Sequence, residues 1–204
     1  MAFVIVSDNF SGGEHVVKEL AKRIANLNGM KVSIFCNENL RKHYSGLINV
    51  NVIVAPYVLE QPFLKRLITY IKCSLYLRRH LQTYKYDLLN LNLNSSIFIA
   101  AFARILTKQA YCVTLHGDDI REFNNNQTFF YKRLIKPVIT SVFNKSKRLI
   151  TVSSWQVEDL EPRYKTKIIK IPNGVDTKAF KPSKTKNKHI VALYAGRLIT
   201  TKGI

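Results

Sequence analysis

His116 stands where a predicted strand ends and is followed by a glycine and two acids, in the order His116-Gly117-Asp118-Asp119. The strand before it is predicted from the β-branched and apolar run of residues 110–115. Ligands of doubly wound sheets bind beyond the carboxyl ends of the strands. This imidazole would therefore lie beside a ligand. The alternative interpretation is a hydrogen-bonded histidine of an ordinary turn.

Two adjacent glycines, Gly12 and Gly13, lie between another predicted strand and the helix that follows it. Glycine lets a backbone approach a ligand closely, and the start of a helix offers unpaired N–H groups to an anion. This combination suits a phosphate. The spacing matches neither the dinucleotide-binding GxGxxG pattern nor the GxxxxGK[ST] P-loop. Plain turn chemistry is an equal alternative.

A second candidate for phosphate binding lies in the segment from Val191 to Ile204, where an apolar strand pattern leads into a glycine turn. Arg197 and Lys202 follow this turn. Basic residues just after a strand are typical of a helix start that binds phosphate.

The other residue types that bind metals suggest no metal site. The remaining histidines have no acidic or cysteine partner at ligand spacing, and we take them as surface residues. They are His15, His43, His80 and His189. The cysteines are odd in number, widely spaced and form no CxxC pair, which predicts buried thiols of a reducing compartment. They are Cys36, Cys73 and Cys112.

The elements that must position these residues alternate regularly between short apolar runs and longer helical patterns. The predicted strands are 3–7, 31–36, 50–55, 87–91, 110–115, 148–152 and 167–171, and the predicted helices are 13–28, 62–84, 95–106, 128–143 and a short one from 154. This alternation is typical of βαβ units. We therefore predict an α/β fold with a doubly wound, mostly parallel, Rossmann-like sheet.

The domain organisation is predicted from a change in composition. Residues 177–189 are rich in Lys and poor in apolar residues, which indicates a solvated linker. We expect one domain at residues 1–176 and the first strand and phosphate-binding turn of a second domain at 190–204.

The charge balance indicates an anionic partner. The 204 residues include 32 Lys and Arg against 13 Asp and Glu, a formal charge of +19. The predicted helix at 62–84 is basic and amphipathic and has no acids, which suits an anionic membrane surface; a core-packed helix with a solvated basic face is the equal alternative. The stretch Lys132–Arg148 is similarly basic. The membrane-surface candidates are Lys65, Arg66, Lys72, Arg78 and Arg79.

No apolar run has the length of a signal segment or of a membrane-spanning helix. We therefore expect a cytoplasmic protein, with the inner face of the plasma membrane as the surface that the basic helix would contact.

Several motifs occur in an order that resembles a known family. They are the Gly-Gly loop after the first strand, His-Gly-Asp-Asp at a strand end, Val-Ser-Ser before a helix, Ile-Pro-Asn-Gly-Val-Asp, and Ala-Gly-Arg-Leu-x-x-x-Lys-Gly. Together they resemble the family 4 glycosyltransferases of the GT-B fold over essentially the whole chain. The resemblance implies a retaining enzyme with two Rossmann-like domains across a cleft, the first binding the acceptor and the second a nucleotide-diphosphate sugar.

The resemblance also implies roles for the residues singled out above. Arg197 and Lys202 match the pair that clamps the donor diphosphate. Gly12 and Gly13 match the loop that approaches the same diphosphate from the other domain. His116 matches the catalytic-site histidine that contacts the donor sugar near the reacting carbon. No cofactor or divalent metal is implied. The acceptor-side candidates, in loops expected to line that pocket, are Asn9, Asn94, Asp118 and Asp119.

One motif of this family, the Glu-x7-Glu donor motif, does not occur in the sequence. We therefore expect the N-terminal part of a glycosyltransferase acting on a lipid-linked or envelope-polysaccharide acceptor, and no measurable transferase activity from the 204-residue chain alone. Arg197 and Lys202 are expected to be poorly ordered. The alternatives are a sugar-nucleotide epimerase of similar architecture and a basic nucleic-acid-binding module, which rests on net charge alone.

Overall fold

The structure is a computed structural model of the chain. It describes residues 1–60, 63–102, 109–117, 123, 128–129, 131–160, 162–182, 192–194 and 196, with the backbone alone at 63, 64, 93, 94 and 131. The chain divides into two compact units, Met1–Asn173 and Gly174–Ile204.

The first unit is built on a seven-stranded sheet in the order β3-β2-β1-β4-β5-β6-β7. Every neighbouring pair of strands is parallel. The strands are β1 Ala2–Ile5, β2 Val32–Asn37, β3 Val50–Ala55, β4 Leu89–Asn92, β5 Tyr111–Leu115, β6 Arg148–Thr151 and β7 Ile168–Lys170. The predicted doubly wound parallel fold is confirmed.

Helices of varied length connect the strands. They are α1 Gly12–Ala25, α2 Arg41–Tyr44, α3 Phe63–Thr83, α4 Leu93–Phe102, α5 Lys136–Lys145 and α6 Ser154–Asp159. The described parts of the connections also contain short 3-10 turns at Glu38–Leu40 and Pro162–Lys167 and a π-helical turn at Tyr131–Ile135.

Apolar residues on both faces of the central strands form the core. In β1, Phe3 and Ile5 pack with Val17 of α1, whereas Val4 packs on the opposite face with Leu77 of α3. All five are almost fully buried. A strand covered on both faces is apolar along its whole length, which is why β1 has no polar alternation.

The predicted elements differ from the structure mainly at their ends. Helix α1 ends at Ala25, before the predicted Asn28, because the chain turns at Gly29, whose φ is +78°. Helix α4 starts at Leu93, directly after β4, rather than at Ser95. The helical turns from Glu38 to Tyr44 were not predicted, since they are too short for a periodic pattern.

The second unit contains a local turn at Asp176. Its carboxylate accepts hydrogen bonds from the N–H groups of Lys178 (2.9 Å) and Ala179 (3.3 Å). Of the strand predicted at 190–195, residues 192–194 are described and have no strand assignment. A strand requires a hydrogen-bonded neighbour, and sequence periodicity does not supply one.

No helix among the described residues is long and apolar enough to cross a bilayer.

The three cysteines are buried and free, as predicted. Burial raises the pKa of the Cys36 and Cys73 thiols to about 12 and that of Cys112 to about 11. All three remain protonated thiols at neutral pH, a form that is a poor nucleophile.

We expect a thiol-specific reagent to label none of the cysteines in the native chain within minutes at pH 8, because both access and thiolate are lacking. All three should react at once in denaturant, which serves as the control. Fast labelling of the native chain would contradict the packing of β2, α3 and β5 described above.

Candidate functional site at the carboxyl edge of the sheet

The strand order reverses between β1 and β4, which are neighbours in the sheet. The connection after β1 leads to one side of the sheet and the connection after β4 leads to the other. Such a reversal opens a crevice beyond the carboxyl ends of the two strands, where α/β proteins bind ligands. A hydrogen bond from the Ser95 hydroxyl to the Val6 carbonyl joins the two connections.

Helix α1 begins at this edge with a buried carboxylate. Glu14 accepts hydrogen bonds from the Ser11 N–H (3.0 Å) and the Ser11 hydroxyl (2.7 Å). The Tyr44 hydroxyl donates to the backbone carbonyl of Glu14 (3.0 Å) and so holds the first turn of α1 in place. A carboxylate at a helix N-terminus also offsets the positive end of the helix dipole.

Gly12 opens α1 with space around its Cα position. A Cβ atom built on Gly12 would have no neighbour within 4 Å among the described residues, and its φ is not in the left-handed region. Neither crowding nor backbone conformation therefore requires glycine there. A ligand that approaches the helix start would provide a reason for it.

His116 lies at the end of β5 and contacts β4. Its Nε2 is 3.2 Å from Asn92 Oδ1. The Asn92 Nδ2 donates to the Asn90 carbonyl (3.0 Å), and the Thr114 hydroxyl donates to Asn90 Oδ1 (2.8 Å). Since Asn92 offers only its oxygen to the imidazole, Nε2 must carry the proton and donate. The buried amides thus select one tautomer of the histidine.

Burial lowers the pKa of His116, and the negative charge of Glu14 acts against this shift. The imidazole is therefore neutral at pH 7 and takes up a proton only in more acidic solution. The residues that this edge brings into one electrostatic environment are Glu14, Asn92 and His116. Of these three residues, only His116 is indicated by the sequence pattern.

Two further asparagines brace the loop after β1. The Asn37 side chain accepts from the Ser7 N–H (3.1 Å) and donates to the Ser7 carbonyl (3.0 Å). Asn39 accepts from the Leu59 N–H (2.8 Å) and donates to the Asp8 carbonyl (3.4 Å). Neither asparagine is indicated by the sequence pattern, because a polar residue at the end of a strand does not reveal its distant partner.

The predicted acceptor-side and donor-side residues are only partly described. Asn9 is exposed in the loop after β1. Asn94 lies in the first turn of α4, where only the backbone is described. The others lie outside the described residues, and the prediction that two of them are poorly ordered stays open; these are Asp118, Asp119, Arg197 and Lys202.

The membrane-surface candidates on α3 do not all face outward. Arg66 forms an ion pair with Asp8 (3.5 Å) in the loop after β1 and donates to the Tyr70 hydroxyl (3.0 Å), with 27% of its side chain exposed. Its contact with a membrane surface stays a prediction. The candidates that stay on the exposed side are Lys65, Lys72, Arg78 and Arg79.

Two histidines expected at the surface are instead packed. His43 stacks on Phe10, with ring centroids 4.2 Å apart. His80 is 2.8 Å from the Tyr86 hydroxyl, and burial lowers its pKa. His189 lies outside the described residues. Within the described part of the chain, no group of His, Cys, Asp and Glu could hold a metal ion.

An all-parallel sheet of this order, with a helix start and a histidine at the edge where the strand order reverses, is a Rossmann-like α/β domain, and the proteins that share its fold are GT-B glycosyltransferases. The model of Glycosyltransferase Family 4 matches residues 10–179, and the chain belongs to this family. This membership does not favour the epimerase or nucleic-acid alternatives.

Solved structures of glycosyltransferases share the fold. Sucrose-phosphate synthase from Thermosynechococcus elongatus is 18% identical with a TM-score of 0.66, and the match covers 89% of this chain and 50% of that one. Anabaena HepE in complex with UDP is 18% identical with a TM-score of 0.60, and the match covers 90% of this chain and 46% of that one. A glycosyltransferase from Rickettsia africae is 19% identical with a TM-score of 0.62, and the match covers 91% of this chain and 45% of that one. The chain thus spans about half the length of these structures. Comparison with curated proteins gave no match.

We expect Asn92→Asp to raise the pKa of His116 by about one unit, because a carboxylate beside Nε2–H stabilises the imidazolium. The pKa is measured by following the ring signals of His116 in an NMR pH titration. Asn90→Asp places the same charge two residues farther down β4 and should raise the pKa less. Equal effects of the two variants would contradict the contact between His116 and Asn92.

Proposed function

We propose that these residues form the acceptor-side half of a retaining glycosyltransferase. The enzyme would move a sugar from a nucleotide-diphosphate sugar to a lipid-linked or envelope-polysaccharide acceptor, without a divalent metal. The observation that carries the proposal is the electrostatic interaction of His116 with Glu14 in the first turn of α1, at the sheet edge where the strand order reverses, in a chain that belongs to Glycosyltransferase Family 4.

The structures that share the fold support this choice of substrates. Anabaena HepE has been solved with UDP and with UDP-glucose, and another fold relative is a lipopolysaccharide outer core galactosyltransferase, WaaB. A diphosphate is the ligand that suits unpaired N–H groups beside open space, as at Gly12. The remaining diphosphate contacts are proposed for Arg197 and Lys202, and acceptor contacts for Asn9, Asn94, Asp118 and Asp119.

The neutral state of His116 fits a role beside the reacting carbon. Glycosyl transfer passes through a transition state in which positive charge develops on the sugar ring. A cationic imidazole would oppose that charge, whereas a neutral one with a fixed tautomer does not. The negative charge of the Glu14 carboxylate, which acts on His116, would stabilise the positive charge that develops on the sugar ring. Burial of the imidazole thus supports the proposed chemistry.

Sugar transfer tests the proposal, and Gly12→Ala is the informative variant. The protein for this assay is the polypeptide that adds a donor domain to these residues, since we expect no measurable transfer from the 204-residue chain alone. With UDP-glucose or UDP-galactose and a membrane lipid extract, Gly12→Ala should lower kcat/KM for the donor about tenfold, a loss of about 1.4 kcal/mol. Its stability should be unchanged or slightly higher, because alanine suits a helix better than glycine.

Gly46→Ala is the matched control, because a Cβ at Gly46 also meets none of the described residues within 4 Å. Gly46 lies after α2, away from the loops that follow β1 and β4. It should leave kcat/KM unchanged. Full activity of Gly12→Ala would sink the role proposed for the helix start. Clear transfer by the 204-residue chain alone would overturn the assignment of the donor site to a second domain.

We also propose that α3 binds an anionic membrane surface at the cytoplasmic side. Its exposed side combines apolar residues with cations: Ile68 is 53% exposed and Leu75 is 50% exposed. Lys72 and Arg79 lie on the same exposed side of the helix. An apolar strip beside lysine and arginine suits the interface of an anionic bilayer, where each charge contributes about 1 kcal/mol.

The double variant Lys72→Glu/Arg79→Glu should weaken binding to vesicles containing phosphatidylglycerol by at least tenfold. Lys22→Glu/Lys42→Glu makes the same change in net charge at exposed sites on α1 and α2 and should have a much smaller effect. Binding is measured by co-sedimentation, with phosphatidylcholine vesicles as the neutral reference. Equal losses in both variants, or equal binding to neutral and anionic vesicles, would refute docking through α3.

A further inference from the structure

Gln156 is a fully buried polar residue in the first turn of α6. Its Oε1 accepts hydrogen bonds from the N–H groups of Val152 (2.9 Å) and Ser153 (3.2 Å). These two bonds attach the side chain to the loop that leaves β6. They also fix the orientation of the amide, since only its oxygen can accept from an N–H group.

The other end of the same amide contacts the chain around His116. Gln156 Nε2 donates to the Gly117 carbonyl (2.8 Å) and lies 3.5 Å from the Leu115 carbonyl. These are the backbone carbonyls on either side of His116. An amide nitrogen has two protons, so one side chain can hold both carbonyls. Gln156 thereby holds the backbone on both sides of His116, and the position of this backbone sets where the ring meets Asn92.

The turn at this point needs such support. Gly117 has a φ of +66°, in the left-handed region, and lies two residues beyond the end of β5 at Leu115. Beyond the end of a strand, backbone carbonyls lose their partners in the ladder and must bond elsewhere if they are buried. Without the amide of Gln156, the carbonyls of Leu115 and Gly117 would lack a hydrogen bond that they now accept. Gly117 is exposed and its carbonyl could bond water instead, whereas the carbonyl of the buried Leu115 could do so only if the turn moved toward solvent.

We propose that Gln156 is a positioning residue for His116, holding its imidazole in place against Asn92. This inference rests on the proposed function, in which His116 contacts the donor sugar. Gln156 touches neither the imidazole nor the open space at Gly12 in any hydrogen bond described above. It therefore acts through the backbone on either side of the histidine.

The variant Gln156→Met tests the proposal, because methionine has a similar length and volume but makes none of these hydrogen bonds. We expect the pKa of His116 to rise by about half a unit toward its ordinary value as the ring becomes more exposed. The ring signals, followed by NMR in the 204-residue chain, report this directly. A residue that only stabilised the fold would lower the melting temperature and leave the pKa unchanged.

Tyr111→Phe is the matched control. Its hydroxyl donates to the buried carbonyl of Val142 (2.8 Å) from the opposite end of the same strand, β5. It should destabilise the chain to a similar degree without moving the His116 signals. An unchanged His116 pKa in folded Gln156→Met, or an equal change in Tyr111→Phe, would overturn the proposal.

A measurement on the unaltered protein covers the case in which Gln156→Met does not fold. A through-hydrogen-bond NMR coupling between Gln156 Nε2 and the carbonyl carbon of Gly117 should be detectable. Its absence would contradict the proposal. Both readouts concern the position of His116 and not sugar transfer, so a failed transferase assay would leave them standing and their failure would leave the transferase proposal standing.

Discussion

Side-chain amides hold the carboxyl edge of the sheet together, and the candidate site depends on them. Parallel strands that end at one edge leave backbone groups without ladder partners, and the loops that follow must satisfy them or expose them. Asn37 pairs with both backbone groups of Ser7. Asn92 fixes the ring of His116, and Gln156 holds the backbone on either side of it. Each amide donates and accepts at once, which a carboxylate or an ammonium group cannot do.

The reversal of strand order between β1 and β4 gives these amides their importance. It brings the start of α1, the start of α4 and the end of β5 to one place, although they are far apart in sequence. The carboxylate of Glu14 enters the same environment through α1. The edge thereby combines an acid, an imidazole and a helix start, the three features on which the proposed sugar transfer depends.

Much of this architecture could be predicted from the sequence, because apolar runs such as that of β1 and the amphipathic pattern of α1 are local signals. The position of His116 at a strand end followed from the same pattern. Its partners did not, since Asn92 is 24 residues away and Gln156 contacts Gly117 across 39. The direction of Arg66 was equally hidden: a helical pattern shows that a residue is basic, but not that Asp8 lies beside it.

A site held by uncharged amides has a consequence for how the protein responds to its ionic surroundings. Attraction between surface cations and anionic lipids weakens as salt screens it over a Debye length of about 8 Å at physiological ionic strength. Buried hydrogen bonds between neutral groups, such as those of Gln156 and Asn37, are insensitive to that screening. The attachment to anionic lipids proposed for α3 would therefore vary with salt and lipid composition, while the hydrogen bonds at the sheet edge would keep their geometry.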